Sequence, residues 1–222
     1  MEVAMKREWI AEGLGTFLIV FMGTGAAMLA AMDPGKVSHG MVSAAFGLAV
    51  AVAVGLFGGI SGAHLNPAIT LGLALGGRAS WRTVPGYVAS QGAGAVMASL
   101  GLRMLMGDVG KMGATTPVGG TMASLGVEFL FTFLLALAGV LASGKPGSAG
   151  YVGAVVGLEA MVGGPVSGAS MNPARSLGPA LVSGCWDGHW IYWVGPVLGA
   201  ALAIPAARWL SAHEHKKGAQ GS

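Results

Sequence analysis

Between Lys36 and Arg78 run 41 consecutive residues, 37–77, without one Asp, Glu, Lys or Arg. A helix needs only about 20 residues to cross a hydrocarbon core. The run is therefore one crossing plus a piece that does not cross. Its second half is interrupted by "GG" at 58–59, "SGAH" at 61–64 and Pro67. What remains, 66–75, is a helix of about ten residues, reaching roughly 15 Å at 1.5 Å per residue, or half the membrane's apolar thickness. Such a piece enters the bilayer and turns back.

The rest of the chain has the same character. It is 54% hydrophobic and 9% charged, where a soluble domain carries roughly 25% charged residues, so too little polar surface exists to coat a soluble particle. Charge-poor runs predict spans near 8–31, 38–58, 83–105, 121–143, 147–164 and 188–210. The first is read as a retained span rather than a cleaved signal. Forty glycines among Leu, Val and Ala point to close helix contact in lipid. The lone Cys185 excludes an intrachain disulfide. A net charge of +3 with no basic stripe argues against a nucleic-acid partner. The thirteen methionines follow no ligand spacing, so no metal site is expected, and the tryptophans gather towards span ends as interfacial anchors.

The non-crossing piece occurs twice. "SGAHLNPAITLGLAL" at 61–75 and "SGASMNPARSLGPAL" at 167–181 agree at ten of fifteen positions, at an offset of 106. In each, Asn is a strong N-cap and Pro suits the first helical position, so "NPA" starts a short helix. Three predicted spans separate the copies. An odd number of crossings makes the short helices enter from opposite faces, which is an inverted repeat. "EGLGTFL" at 12–18 and "EFLFTFL" at 128–134 extend it. The fold expected is an all-α membrane protein of six transmembrane helices and two re-entrant half-helices. The chain is read as a single channel domain over 1–222, with halves over about 1–106 and 120–210 and a tail over 211–222.

Eight of the twelve basic residues, Lys6, Arg7, Arg78, Arg82, Lys145, Arg208, Lys216 and Lys217, fall on one side of the six-span arrangement. By the positive-inside rule both termini are cytoplasmic. Two half-helices entering from opposite faces bring their N-termini together near the midplane, each carrying about half a positive charge. Asn66 and Asn172 sit there and turn amide N–H groups toward a solute. Irregular backbone at that depth is tolerable where it lines a wet cavity, which makes "SGAH" and "SGAS" pore-lining strips. The site suits a small neutral molecule and disfavours a cation.

The two "NPA" boxes, "SGAHLNPA", "NPARS", "AEGLGTF" and "HWIYWVGP" together resemble the aquaporin, or major intrinsic protein, family over nearly the whole chain. "GPVSGASMNPARSLGPA" resembles its nodulin-26-like branch. The resemblance implies a homotetramer, each subunit with its own pore, and passive flux without cofactor or coupling ion; the lack of targeting signals and the compact 222-residue frame fit a cytoplasmic membrane. Selectivity by pore width, lining groups, an Arg and half-helix dipoles is the established account of such pores. By carry-over, Asn66 and Asn172 orient water and interrupt proton hopping. Phe46, Ala160, Ala169 and Arg175 form the filter, in preference to Arg175 snorkelling to the interface. Water-selective members usually have His where this chain has Ala160, so a wider, more apolar opening is expected. Ser176, Ala180 and Tyr192–Trp193 nevertheless resemble water channels rather than glycerol facilitators. The expected function is water conduction with passage of small neutral solutes such as glycerol, urea or neutral metalloid acids.

A carboxylate in lipid is costly unless paired or hydrogen-bonded. The family reading makes the repeat-related Glu12 and Glu128 acceptors for backbone N–H groups of the re-entrant loops. Glu159 adjoins Ala160 without a repeat partner, and faces a neighbouring helix, modifies the pore mouth or, with an alignment slip of one residue, stands in the filter itself. His64 stands where the other copy has Ser170, and is expected to brace its loop near the cytoplasmic vestibule. Two rivals remain. A secondary transporter also uses broken helices, but no Asp lies in a span. An intramembrane serine protease could use "GASM" at 168–171 with His189, yet "GAxxNPA" explains both copies at once.

Overall fold

The computed structural model describes residues 2–220, with side chains for 6–211. Eight α-helices follow one another: α1 (Glu2–Met32), α2 (His39–Ser61), α3 (Pro67–Leu75), α4 (Val84–Met106), α5 (Thr121–Ala142), α6 (Ser148–Ser167), α7 (Pro173–Ser183) and α8 (Ile191–Gln220). A short 3-10 turn, Gly110–Gly113, joins α4 to α5. No strand occurs among the described residues.

Helix ends follow local chemistry. Ser38 caps α2, its Oγ accepting from Met41 N at 3.3 Å. Asn66 and Asn172 cap α3 and α7 with Pro in the first turn of each. α2 and α6 both close on a left-handed glycine, Gly62 and Gly168, at φ 82°. The expected break of α2 at Gly58–Gly59 does not occur, and the helix continues to Ser61. A helical glycine costs only about 1 kcal/mol, whereas backbone groups unpaired in lipid cost several each. The end therefore waits for Gly62.

Packing repeats between the halves. α1 lies on α4 and α5 on α8, while α2 and α6 meet between the halves. Glycine permits each approach. A Cβ on Gly94 would come within 2.1 Å of Gly13 O, one on Gly199 within 2.3 Å of Phe129 O, and one on Gly153 within 2.5 Å of Gly47 O. The small-residue contacts expected of bilayer helices thus occur in all three pairs.

The outside of the bundle is apolar. Ile10, Leu14, Leu48, Leu56, Leu158 and Val162 are each more than half exposed, a surface for hydrocarbon rather than water. Five of the long helices are long and apolar enough to cross a membrane. α4 is the less apolar sixth, and it buries Gln91 and Ser99 completely.

Candidate functional site

α3 and α7 meet tip to tip. Asn66 Oδ1 accepts from Ala68 N at 2.9 Å, and its Nδ2 donates across the junction to Met171 O at 2.7 Å. Asn172 Oδ1 accepts from Ala174 N at 3.0 Å, and its Nδ2 donates to Leu65 O at 2.9 Å. Each amide therefore caps its own helix and ties the backbone preceding the other. One N–H of each NH₂ group is engaged in that tie, so only the second remains to meet a solute. This narrows the expectation that both face the path. Both asparagines line a cavity of about 600 Å³.

The segments leading into the half-helices are irregular in the same manner. Ala63 and Leu65 have φ of 47° and 53°, and Ala169 and Met171 have φ of 43° and 54°. Left-handed backbone costs a non-glycine residue roughly 1–2 kcal/mol, so something must hold it. In the first half the holder is Glu12. Its Oε1 accepts from Ser61 Oγ at 2.6 Å and His64 N at 2.9 Å. Its Oε2 accepts from Leu65 N at 2.6 Å and Gln91 Nε2 at 2.7 Å. Glu128 does the same in the second half, accepting from Ser167 Oγ and Ser170 N, both at 2.8 Å, and from Met171 N at 2.6 Å. Both carboxyls are fully buried.

Sequence reading missed the groups completing these supports. Ser61 and Ser167 donate to the carboxylates and accept from Ala63 N and Ala169 N, each at 3.1 Å. Tyr87 OH donates to Ser61 O at 2.8 Å, and Tyr192 OH to Ser167 O at 2.7 Å. Ser61 and Ser167 lie 106 residues apart and Tyr87 and Tyr192 lie 105 apart, so the repeat itself carried the signal. Gln91 has Pro196 at its repeat position, and nothing in the sequence singled it out.

His64 lines the large cavity. Its Nδ1 lies 3.2 Å from Thr70 Oγ1, and its ring meets Tyr87 edge-on with centroids 5.0 Å apart. In the other copy Ser170 Oγ and Ser176 Oγ are 2.5 Å apart, a contact in the matching positions. His39 Nε2 lies 2.9 Å from Met161 O.

A second cavity, of about 270 Å³, is lined by residues that include Ala27, His39, Gly110 and Thr115. The residues lining both cavities are Phe46, Ala160, Ala169 and Arg175. The guanidinium Cζ of Arg175 stands 4.7 Å from the centre of the Phe46 ring, within cation–π range. Arg175 Nη1 donates to Gly113 O at 2.9 Å. Arg175 is 5% exposed, so its charge stays deep in the bundle rather than reaching the interface.

Glu159 lines neither cavity. It is buried, and neither carboxyl oxygen has a hydrogen-bond partner among the described residues. Of the alternatives open from sequence, a place in the filter or at the pore mouth disagrees with that lining. An unpartnered buried carboxyl burdens the fold by about 1–3 kcal/mol. Glu159→Met is accordingly expected to raise the midpoint of thermal unfolding in detergent by about 4–8 °C, taking about 2 kcal/mol in a chain of this size. Water conduction should be unchanged; intrinsic fluorescence during heating reads the shift.

The sequence profile of the family described as "Major intrinsic protein" matches residues 1–205. "Aquaporin NIP1-1" of Zea mays is 46% identical over 206 residues, spanning 90% of this chain and 73% of that protein. "Aquaporin NIP2-1" of Oryza sativa subsp. japonica is 42% identical over 200 residues, spanning 88% and 67%. Among solved structures, the aquaglyceroporin from Plasmodium falciparum superposes with a TM-score of 0.80 at 24% identity, covering 90% of this chain and 94% of that one. That last likeness establishes the fold. A helical fold of this type, with a profile match and relatives above 40% identity over most of the chain, has one reading: this chain belongs to the major intrinsic protein family, whose members are membrane channels and not enzymes.

Proposed function

We propose that the chain is a passive pore for water that also admits small uncharged solutes of the glycerol, urea or neutral metalloid-acid class, with no cofactor. The observation that carries this reading is the set of residues shared by the two cavities, one aromatic, two methyl side chains and one guanidinium. Without a His at position 160, the opening offers apolar walls with donors on one side. That suits a molecule with an apolar edge and acceptor oxygens. Asn66 and Asn172 act as the midplane donors and, with the half-helix dipoles, oppose cations. Glu12 and Glu128 hold the two loops, and His64 braces the first on the vestibule side. The relatives' names, all aquaporins, support the same assignment.

The working unit is a homotetramer in the cytoplasmic membrane, with both termini cytoplasmic by the distribution of basic residues. The halves are about 1–106 and 120–210. Of the 211–222 tail, residues from 212 onward have no described side chains. Stopped-flow light scattering on proteoliposomes tests the reading. Water flux well above protein-free vesicles, with measurable glycerol or urea entry, is expected. Water flux alone would overturn the wide-filter part, and a saturable, ion-dependent flux would favour the transporter.

A further inference from the structure

Phe46 is the bulkiest group at the place where the two cavities meet, and its ring sits in a notch of α1. A Cβ on Gly23 would lie 2.1 Å from Phe46 Cε1, 2.2 Å from Cδ1 and 2.6 Å from Cζ. The ring edge thus fills the space that a side chain at position 23 would take. Its other boundary is Arg175, at 4.7 Å. Gly23 itself lines neither cavity. We infer that Gly23 is a specificity-determining positioning residue, which sets the width of the constriction by letting the Phe46 ring withdraw into α1. The inference rests on the filter assignment proposed above, and adds a residue with no contact to the permeant.

A single methyl group at position 23 reverses the arrangement. To reach ordinary contact at about 3.5 Å, the ring edge must retreat by roughly 1.4 Å. α1 closes one side, so the retreat is towards Arg175 and the shared opening. The displaced ring narrows the opening and disturbs the guanidinium stacked on it. Water, the smallest permeant, should lose least.

The experiment compares wild type, Gly23→Ala, Phe46→Ala and the double variant in proteoliposomes, reading glycerol and urea entry relative to water flux. Gly23→Ala is expected to lower the glycerol-to-water ratio at least tenfold. In the Phe46→Ala background the same change should leave the ratio within twofold, because the ring it displaces is gone. That non-additivity is what a general packing defect would not produce. A ratio unchanged in Gly23→Ala, or an equal loss in both backgrounds, overturns the inference. A wild type that passes water but neither solute overturns the wide-filter reading instead, and this inference with it.

Discussion

Replacing Glu12 by leucine should abolish water conduction, with flux per incorporated protein falling more than tenfold. Four donors converge on this carboxylate: Ser61 Oγ, His64 N, Leu65 N and Gln91 Nε2. Leucine has similar bulk and accepts from none of them. Each buried donor left without a partner costs about 1–3 kcal/mol. Even at the lower end, four amount to about 4 kcal/mol, comparable with the whole stability of many domains, about 5–15 kcal/mol. The left-handed residues Ala63 and Leu65 lose their hold at the same moment. Leu65 O then no longer meets the Asn172 amide.

Glu12→Gln separates acceptor count from shape. Glutamine keeps one oxygen but sets an NH₂ group against two of the four donors, whichever way the amide turns. Its flux should fall between wild type and Glu12→Leu. Glu128 serves three donors, so Glu128→Leu should be damaging in the same manner. Stopped-flow flux normalised to incorporated protein measures all three. A leucine variant at position 12 retaining more than half of wild-type flux would mean that the loop holds itself.

What the sequence disclosed, and what it withheld, divides along local and non-local lines. The starts of α3 and α7 were legible because Asn-Pro is a capping signal that acts within one turn. The opposed entry of the half-helices followed from counting spans between two copies of one box. The end of α2 was misjudged because Gly58–Gly59 breaks helices in water but not in lipid, where unpaired backbone is costlier than glycine's freedom. Ser61, Ser167, Tyr87 and Tyr192 were present at the repeat spacing, yet their support of the loops went unread, since an offset reveals correspondence but not contact. Gln91 and the Gly23 notch had no signal at all. The first is an asymmetric addition, and the second depends on how α1 and α2 register against each other.

Arg175→Val should raise the leak of protons through the pore. Of the four residues shared by the two cavities, Arg175 alone carries charge, and it is held there by Gly113 O and the Phe46 ring. A unit charge opposes a cation about 4 Å away by about 4 kcal/mol at an effective dielectric near 20, worth almost three powers of ten. The half-helix ends at Asn66 and Asn172 survive the change, each with about half a positive charge. They should retain part of the barrier, which brings the expected rise in proton flux to roughly one or two powers of ten. Water flux should hold or increase, since valine is the smaller side chain. Arg175→Lys keeps the charge but gives up the planar stack on Phe46, so it should remain tight to protons while its solute ratios change. Vesicles loaded with a pH-sensitive dye under an imposed potential read the leak directly. If Arg175→Val proved as tight as wild type, the barrier would reside at the crossed asparagines alone, and the guanidinium would serve only to sort uncharged solutes.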